Sequence, residues 1–416
     1  MVDFGRRPWL GTAAARRIAA TATAAGVVMA AVLLDAFVNA GRLAPITVAL
    51  AGIVVVLALT VTWPRPGLTE IGLLLLCAAT LWPRVAHVEP GVPGALLFLV
   101  VTYGIGRLSG LSPRTLALLL IVAGALMGAI AIAQAIPSLD RRLPFSPMNG
   151  AVVRPTIRST GLFDNPNVFG GFEATALVLA AVVGLPWRWT GRATRAGSVL
   201  LFGAVVLCFI GLGFSASREC ALGLAVGLAL LALVPRSGFR ARVRSLLPYA
   251  VAAAVAVVVV VVVSQASSSV SRPSVSGRFD PTNVATDHNL LDRMASWRLA
   301  VDLIRQAPLI GYGATIPMRA VDNAYLEWLL AGGILGPVLW LAAVGTVAPR
   351  AARPIAAGVL VIAAFANPFA VGPTVAILLI SCGALATHPP AALPAAAPAP
   401  AYSATGNPRM LKPPST

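Results

Sequence analysis

Leu247-Pro-Tyr-Ala-Val-Ala-Ala-Ala-Val-Ala-Val-Val-Val-Val-Val-Val-Val263 contains no charged or amide side chain. Runs of this kind, near twenty residues long, are the signature of helices that cross a bilayer. Lipid offers the backbone no hydrogen-bond partner, so each such run must satisfy its own amides, and the helix does so. Similar runs recur at Ile18–Val38, Leu43–Val61, Thr115–Ile136, Val168–Leu185, Ala196–Phe214, Cys220–Val234 and Tyr325–Val347. Shorter ones lie at Ile71–Trp82 and Pro93–Gly106, and two more, Pro354–Phe369 and Val371–Leu385, are separated by Asn367-Pro368. The short alternating segments of a β-barrel are absent from the sequence. The chain therefore reads as all-α, a polytopic integral membrane helix bundle of about twelve spans, or about ten if one weak in-out pair is lost.

Composition agrees. Of 416 residues, 58% are hydrophobic and 11% charged, where a soluble domain carries roughly 25% charged residues. Mean hydropathy is +0.86. The net charge of +17 does not indicate nucleic acid, because the basic residues are scattered between apolar runs instead of forming one soluble face. Lys412 is the only lysine, so the membrane body has no P-loop or Schiff-base lysine. Cys77, Cys208, Cys220 and Cys382 lie in or beside apolar runs without metal-type spacing, and read as small hydrophobes.

The distribution of arginine orients the chain. With residues 1–17 inside, the inner loops hold Arg65, Arg107, Arg114, Arg188, Arg192, Arg195, Arg236, Arg240, Arg242, Arg244, Arg350 and Arg353. The short outer loops hold only Arg42, Arg84 and Arg218, as the positive-inside bias requires. Residues 18–387 form the membrane domain. The first run reads as an uncleaved helix, and both termini are expected in the cytoplasm. The Ala/Pro-rich tail 388–416 is expected to be disordered.

Two long outer segments, 137–167 and 264–322, carry arginines on the side where arginine is normally scarce. The second holds an amphipathic helix: Leu290, Met294, Trp297, Val301 and Ile304 recur at helical spacing, while Arg298, Asp302 and Arg305 share another face. That helix is expected to lie along the outer membrane surface. Pro308 ends it, and Gly311 and Gly313 turn the chain back to the membrane.

Three outer stretches carry the chemistry-bearing residues. They are Arg158-Ser-Thr-Gly-Leu-Phe-Asp-Asn-Pro-Asn167, Ser215-Ala-Ser-Arg218-Glu219, and Asp322-Asn323 leading into Glu327 and Gly333-Ile-Leu-Gly336. Between the last two, Trp297, Ala300, Pro308, Gly311 and Gly313 form a Trp-x-x-Ala…Pro-x-x-Gly-x-Gly run. In order and spacing this set, from Arg154 to Val347, resembles the O-antigen ligase and O-antigen polymerase family of bacterial membrane glycosyltransferases. The ligases have His where this chain has Asp322, which favours a polymerase-like or divergent member.

The resemblance implies a polyprenyl-diphosphate-linked glycan donor, a glycan or lipid acceptor and chemistry at the outer face of the bacterial plasma membrane. It implies Asp322, Arg218 and Arg158 as catalytic residues, and Arg293, Arg298, Arg319 and Asn323 as substrate-binding ones. It implies neither cofactor nor metal, and the chain has no Asp-x-Asp. Besides the two substrates, membrane lipids are the expected partners, with no nucleic acid.

Other readings of the same residues stay open at this level. Arg218 could pair with Glu219 or snorkel to head groups, and Arg158 could be an ordinary loop cation. Asp322 could cap the helix that follows, and Asn165-Pro-Asn167 could be a helix entry alone. His288 reads as a bystander, and Asp35 and Glu173, within spans, as interior residues without an assigned role. At the level of function, a protein O-oligosaccharyltransferase shares the motifs, a transporter or flippase for lipid-linked sugars would need internal repeats, and a non-catalytic scaffold is the third class.

Overall fold

The computed structural model describes residues 68–87, 99, 102–107, 111–136, 139, 158–163, 165–185, 195–233, 239–267, 288–313, 321–366 and 373–387. The runs expected at Ile18–Val38 and Leu43–Val61, Arg319 and the tail lie outside the described residues. Among the described residues there is helix and no strand. In chain order the helices are α1 (Leu68–Ala86), α2 (Pro113–Ala135), α3 (Pro166–Val182), α4 (Arg195–Ser215), α5 (Arg218–Leu233), α6 (Phe239–Ser267), α7 (His288–Gln306), α8 (Ala324–Gly332), α9 (Leu335–Val347), α10 (Arg353–Ala363) and α11 (Pro373–Thr387).

α3 is the centre. Every side chain from Phe169 to Ala181 is buried, as in a helix that is apolar all round and surrounded by others. α6 is the periphery, with Val251, Val255, Val257, Val258 and Val262 exposed along it. In water such a surface would be an aggregation site; in lipid it is the ordinary outer face of a bundle. Glycines bring the helices close. A Cβ on Gly223 of α5 would stand 2.8 Å from the Gly358 carbonyl of α10, and one on Gly106 would stand 2.0 Å from the Ile380 carbonyl of α11. Close backbone approach through small residues is how helices associate where no hydrophobic effect drives them together.

The molecule is a helical membrane protein, but the count of about twelve spans is not reached among the described residues. Three helical segments, Pro113–Ala135, Ala196–Ser215 and Ser245–Gln265, are long and apolar enough to cross a membrane, and five others are apolar but shorter. The single span expected at Tyr325–Val347 is corrected to two helices. Gly333 adopts φ +59° and breaks it, and α9 folds against α8 closely enough that Trp328 and Trp340 stack at 5.0 Å with planes 9° apart. A Cβ on Gly336 would lie 2.2 Å from the Trp328 carbonyl.

Contacts sort the helix ends into two groups. At one end, Trp82 Nε1 donates to the Gly332 carbonyl at 2.9 Å, Tyr325 Oη donates to the Leu360 carbonyl at 2.8 Å, and Ala324 N donates to the Ala366 carbonyl at 3.2 Å. At the other, Arg107 pairs with Glu70 at 3.1 Å and donates to Thr387 Oγ1 at 3.2 Å, and Tyr249 donates to the Leu185 carbonyl. Arg114, Arg350 and Arg353 are exposed at this second end.

Candidate active site at one end of the bundle

All the motif residues that the structure describes lie at the first end. The stretch 158–163 is sewn down before it enters α3. Gln134, fully buried on α2, accepts from Thr160 N at 3.0 Å and Gly161 N at 3.1 Å and donates to the Gly161 carbonyl at 2.8 Å. Ser159 N donates to the Phe214 carbonyl at 3.0 Å, and its hydroxyl donates to the Ala131 carbonyl at 2.9 Å. Gly161 needs its φ of +60° here, with Phe169 packed against it. Asn165 then caps α3, its Oδ1 accepting from Asn167 N at 2.8 Å, and Pro166 occupies the first helical position.

This sewing fixes Arg158, which is half-buried. Its Nε donates to the Ser215 carbonyl at 2.8 Å and its Nη2 donates to Asn167 Oδ1. Ser215 ends α4, where carbonyls lack helical partners and the helix dipole is negative, so a guanidinium is favoured there. Two residues link α4 to α5. One is Ala216, buried and at φ +48°, a conformation an alanine rarely adopts. That tight link puts Arg218, also half-buried, at the start of α5. Ser217 Oγ donates to Cys220 Sγ at 2.9 Å, and Cys220 Sγ donates to the Asn167 carbonyl at 3.4 Å. The first turns of α3 and α5 are thereby tied together.

The second half of the site comes from α7 and α8. Arg293 pairs with Asp322 Oδ2 at 3.3 Å and approaches Glu219 Oε1 at 3.7 Å. One guanidinium thus joins α7, the first turn of α5 and the entry to α8. Arg293 and Glu219 are largely buried, whereas Asp322 is 60% exposed. Asn323, not Asp322, caps α8: its Oδ1 accepts from Leu326 N at 3.1 Å. The Asp322 carboxylate is left to Arg293.

The apolar face of α7, expected along the membrane surface, is divided between protein and the outside. Trp297 and Ile304 pack on the bundle, Trp297 with its ring 6.2 Å from Phe365. Their inward neighbours are Ala300 and Leu303, which join Val321 and Leu330. Met294 and Val301 are exposed instead, beside Leu291. The apolar arc is wide enough for both duties, one flank on the bundle and one facing outward. Arg298, Asp302 and Arg305 do share an exposed face, where Arg305 pairs with Asp302 at 3.2 Å. Arg298 is therefore not brought to Arg293. After α7, Gly311 and Gly313 make the turn at φ +66° and +76°, and Ile334 N donates to the Pro308 carbonyl at 2.9 Å.

The structure adds three residues to those expected from the sequence: Gln134, Asn167 and Glu219. Asn167 and Glu219 stand inside the quoted motifs, so a signal existed; Gln134, a lone amide in an apolar run, has only its polarity to mark it. Glu173 is fully buried among α2, α3 and α4, where Gly124 and Gly211 leave room for its carboxyl. Among the described residues no group of three or more His, Cys, Asp or Glu could hold a metal ion.

No curated protein and no solved structure matches the chain. A family model described as O-antigen ligase matches residues 203–341. The match takes in the Ser217-Arg218 pair, α7, the Asp322-Asn323 entry and α8, while the Arg158 stretch precedes it. Over that stretch, from within α4 to within α9, the chain is similar to the O-antigen ligase family.

Proposed function

We propose that the chain is a membrane glycosyltransferase that transfers or polymerises glycan from a polyprenyl-diphosphate donor onto an acceptor hydroxyl, at the outer face of the bacterial plasma membrane. The observation that carries this reading is the gathering of Arg158, Arg218, Arg293 and Asp322 around the first turn of α5. The opposite end holds Arg107, Arg114, Arg350 and Arg353, which the positive-inside bias assigns to the cytoplasm. The site then faces outward, with both chain termini in the cytoplasm.

The acceptor oxygen attacks the anomeric carbon, its C–O bond forms, and the bond from that carbon to the diphosphate oxygen breaks. The electron pair leaves with the diphosphate, whose charge rises in the transition state. Guanidinium groups fixed in advance stabilise that charge without reorganising, and their planar forks suit phosphate oxygens. Arg158 and Arg218 take this role. Asp322 accepts the hydroxyl proton as the bond forms. Arg293 holds Asp322 in place and leaves it exposed on the side from which an acceptor arrives. Asn323 keeps the helix entry behind it, and the assignment of Arg298 and Arg319 to the glycan follows the family resemblance of their loop.

A strain lacking the protein should accumulate lipid-linked glycan and lose the corresponding surface polymer. Restoring the wild-type chain should reverse both, whereas Asp322→Asn should restore neither while inserting normally. Unchanged lipid-linked glycan and surface polymer in the deletion strain would rule the function out.

A further inference from the structure

The two asparagines of Asn165-Pro166-Asn167 make different contacts. Asn165 closes the cap of α3 with its own side chain, accepting from Asn167 N at 2.8 Å. The Asn167 side chain instead reaches back nine residues and accepts from Arg158 Nη2. We infer that Asn167 is a positioning residue for Arg158, and that the triplet combines a helix cap with an aiming device for one guanidinium. The inference rests on the use of Arg158 against a diphosphate proposed above.

Arg158 is held by two acceptors on two different helices, Asn167 in the first turn of α3 and the Ser215 carbonyl that ends α4, the latter at 2.8 Å. Both bonds use the Nε–Nη2 edge, so together they fix the plane of the guanidinium. Loss of the Asn167 acceptor would loosen that edge. Preorganisation of this kind decides how much a charged group contributes to a transition state.

The chemistry of the acceptor matters as well. An amide oxygen is neutral, so Asn167 orients Arg158 without itself offsetting the positive charge. A carboxylate would orient it equally well and cancel the charge an anionic leaving group requires. Asn167 also registers Arg158 against Arg218. Its carbonyl accepts from Cys220 Sγ at 3.4 Å, in the first turn of the helix that Arg218 begins.

The test uses the full chain in lipid nanodiscs. Phenylglyoxal modifies arginine, and peptide mass spectrometry reads the rate at Arg158 alone. Transfer from a polyprenyl-diphosphate glycan is measured on the same samples, with thermal unfolding as control. In Asn167→Ala, Arg158 should be modified severalfold faster, and transfer should fall by about tenfold or more, the scale of a misplaced catalytic group. In Asn167→Asp, Arg158 should stay protected while transfer still falls, because position is kept and charge is cancelled. In Asn165→Ala the unfolding temperature should drop, with Arg158 protection and transfer per folded molecule both retained.

An unchanged Arg158 rate in Asn167→Ala would overturn the inference even if transfer fell. Equal loosening of Arg158 in Asn165→Ala would also overturn it, since the helix entry as a whole would then be responsible. If Asn167→Ala loosens Arg158 but the wild type shows no diphosphate-dependent transfer, the positioning role stands and the proposed function fails.

Discussion

Asp322 and Asn323 show how neighbouring polar residues divide tasks that the sequence leaves mixed. In the sequence Asp322 is open to two roles, proton acceptor or cap of the helix that follows, and the family resemblance assigns Asn323 to substrate. The structure gives the cap to Asn323 and the ion pair with Arg293 to Asp322. Asn323→Ala should therefore destabilise the chain by about 1 kcal/mol, the usual cost of a lost cap, and transfer should fall only with the folded fraction. Asp322→Asn loses one partly exposed ion pair, which is worth about 1 kcal/mol or less, and should abolish most transfer. Thermal unfolding beside a transfer assay separates the two. Arg158→Lys and Arg218→Lys should each lose most transfer at unchanged expression, because lysine keeps the charge and loses the fork. Normal transfer in both would make the arginines generic surface charge. The motif residues were legible because their types and order are local facts. The partners of Gln134 and Glu219 were not, because they come from elements distant in sequence, and the task of Asn167 was not, because two asparagines of one motif offer the same side chain and only the turn between them decides which one meets Arg158.

At the scale of elements, the uninterrupted apolar run from Tyr325 hid a break. Gly332-Gly333 was in view, but glycine is common within membrane helices and marks no end by itself. What fixes the break is the turn after α7: a Cβ on Gly333 would stand 2.1 Å from the Leu309 carbonyl, and its φ of +59° already excludes most side chains. Gly333→Ala should cost more than about 1 kcal/mol, since the strain at positive φ adds to the clash. Its signature should be an unfolding temperature lower than that of Gly203→Ala, where a Cβ would meet nothing within 4 Å. The packed face of α7 was illegible for a related reason. Its apolar arc includes Trp297 and Ile304, which meet protein, and Met294 and Val301, which face outward. Lipid and protein interior are alike in polarity, so hydrophobic period reports the helix without saying which flank meets which.

For the whole molecule, the apolar runs made the helical membrane class legible, but not which helix is central: α3 is buried and carries Glu173, whereas the uncharged run of α6 lies at the periphery. The helix bounds were less legible: among the described residues the run that begins at Pro354 gives the short helix Arg353–Ala363. Orientation rests on charge, and labelling checks it. With the four native cysteines replaced, a cysteine at Gln306 should react with an impermeant maleimide added from outside, and one at Arg350 only after the membrane is opened. The reverse pattern would put the site in the cytoplasm. The most direct test of the whole account is release of free polyprenyl diphosphate by the purified chain in proteoliposomes containing a polyprenyl-diphosphate glycan and its acceptor. The account predicts release matched by glycan transfer in the wild type and loss of both in Arg218→Lys. Transfer that continues undiminished in Arg218→Lys, or a wild type that releases no polyprenyl diphosphate, would contradict it.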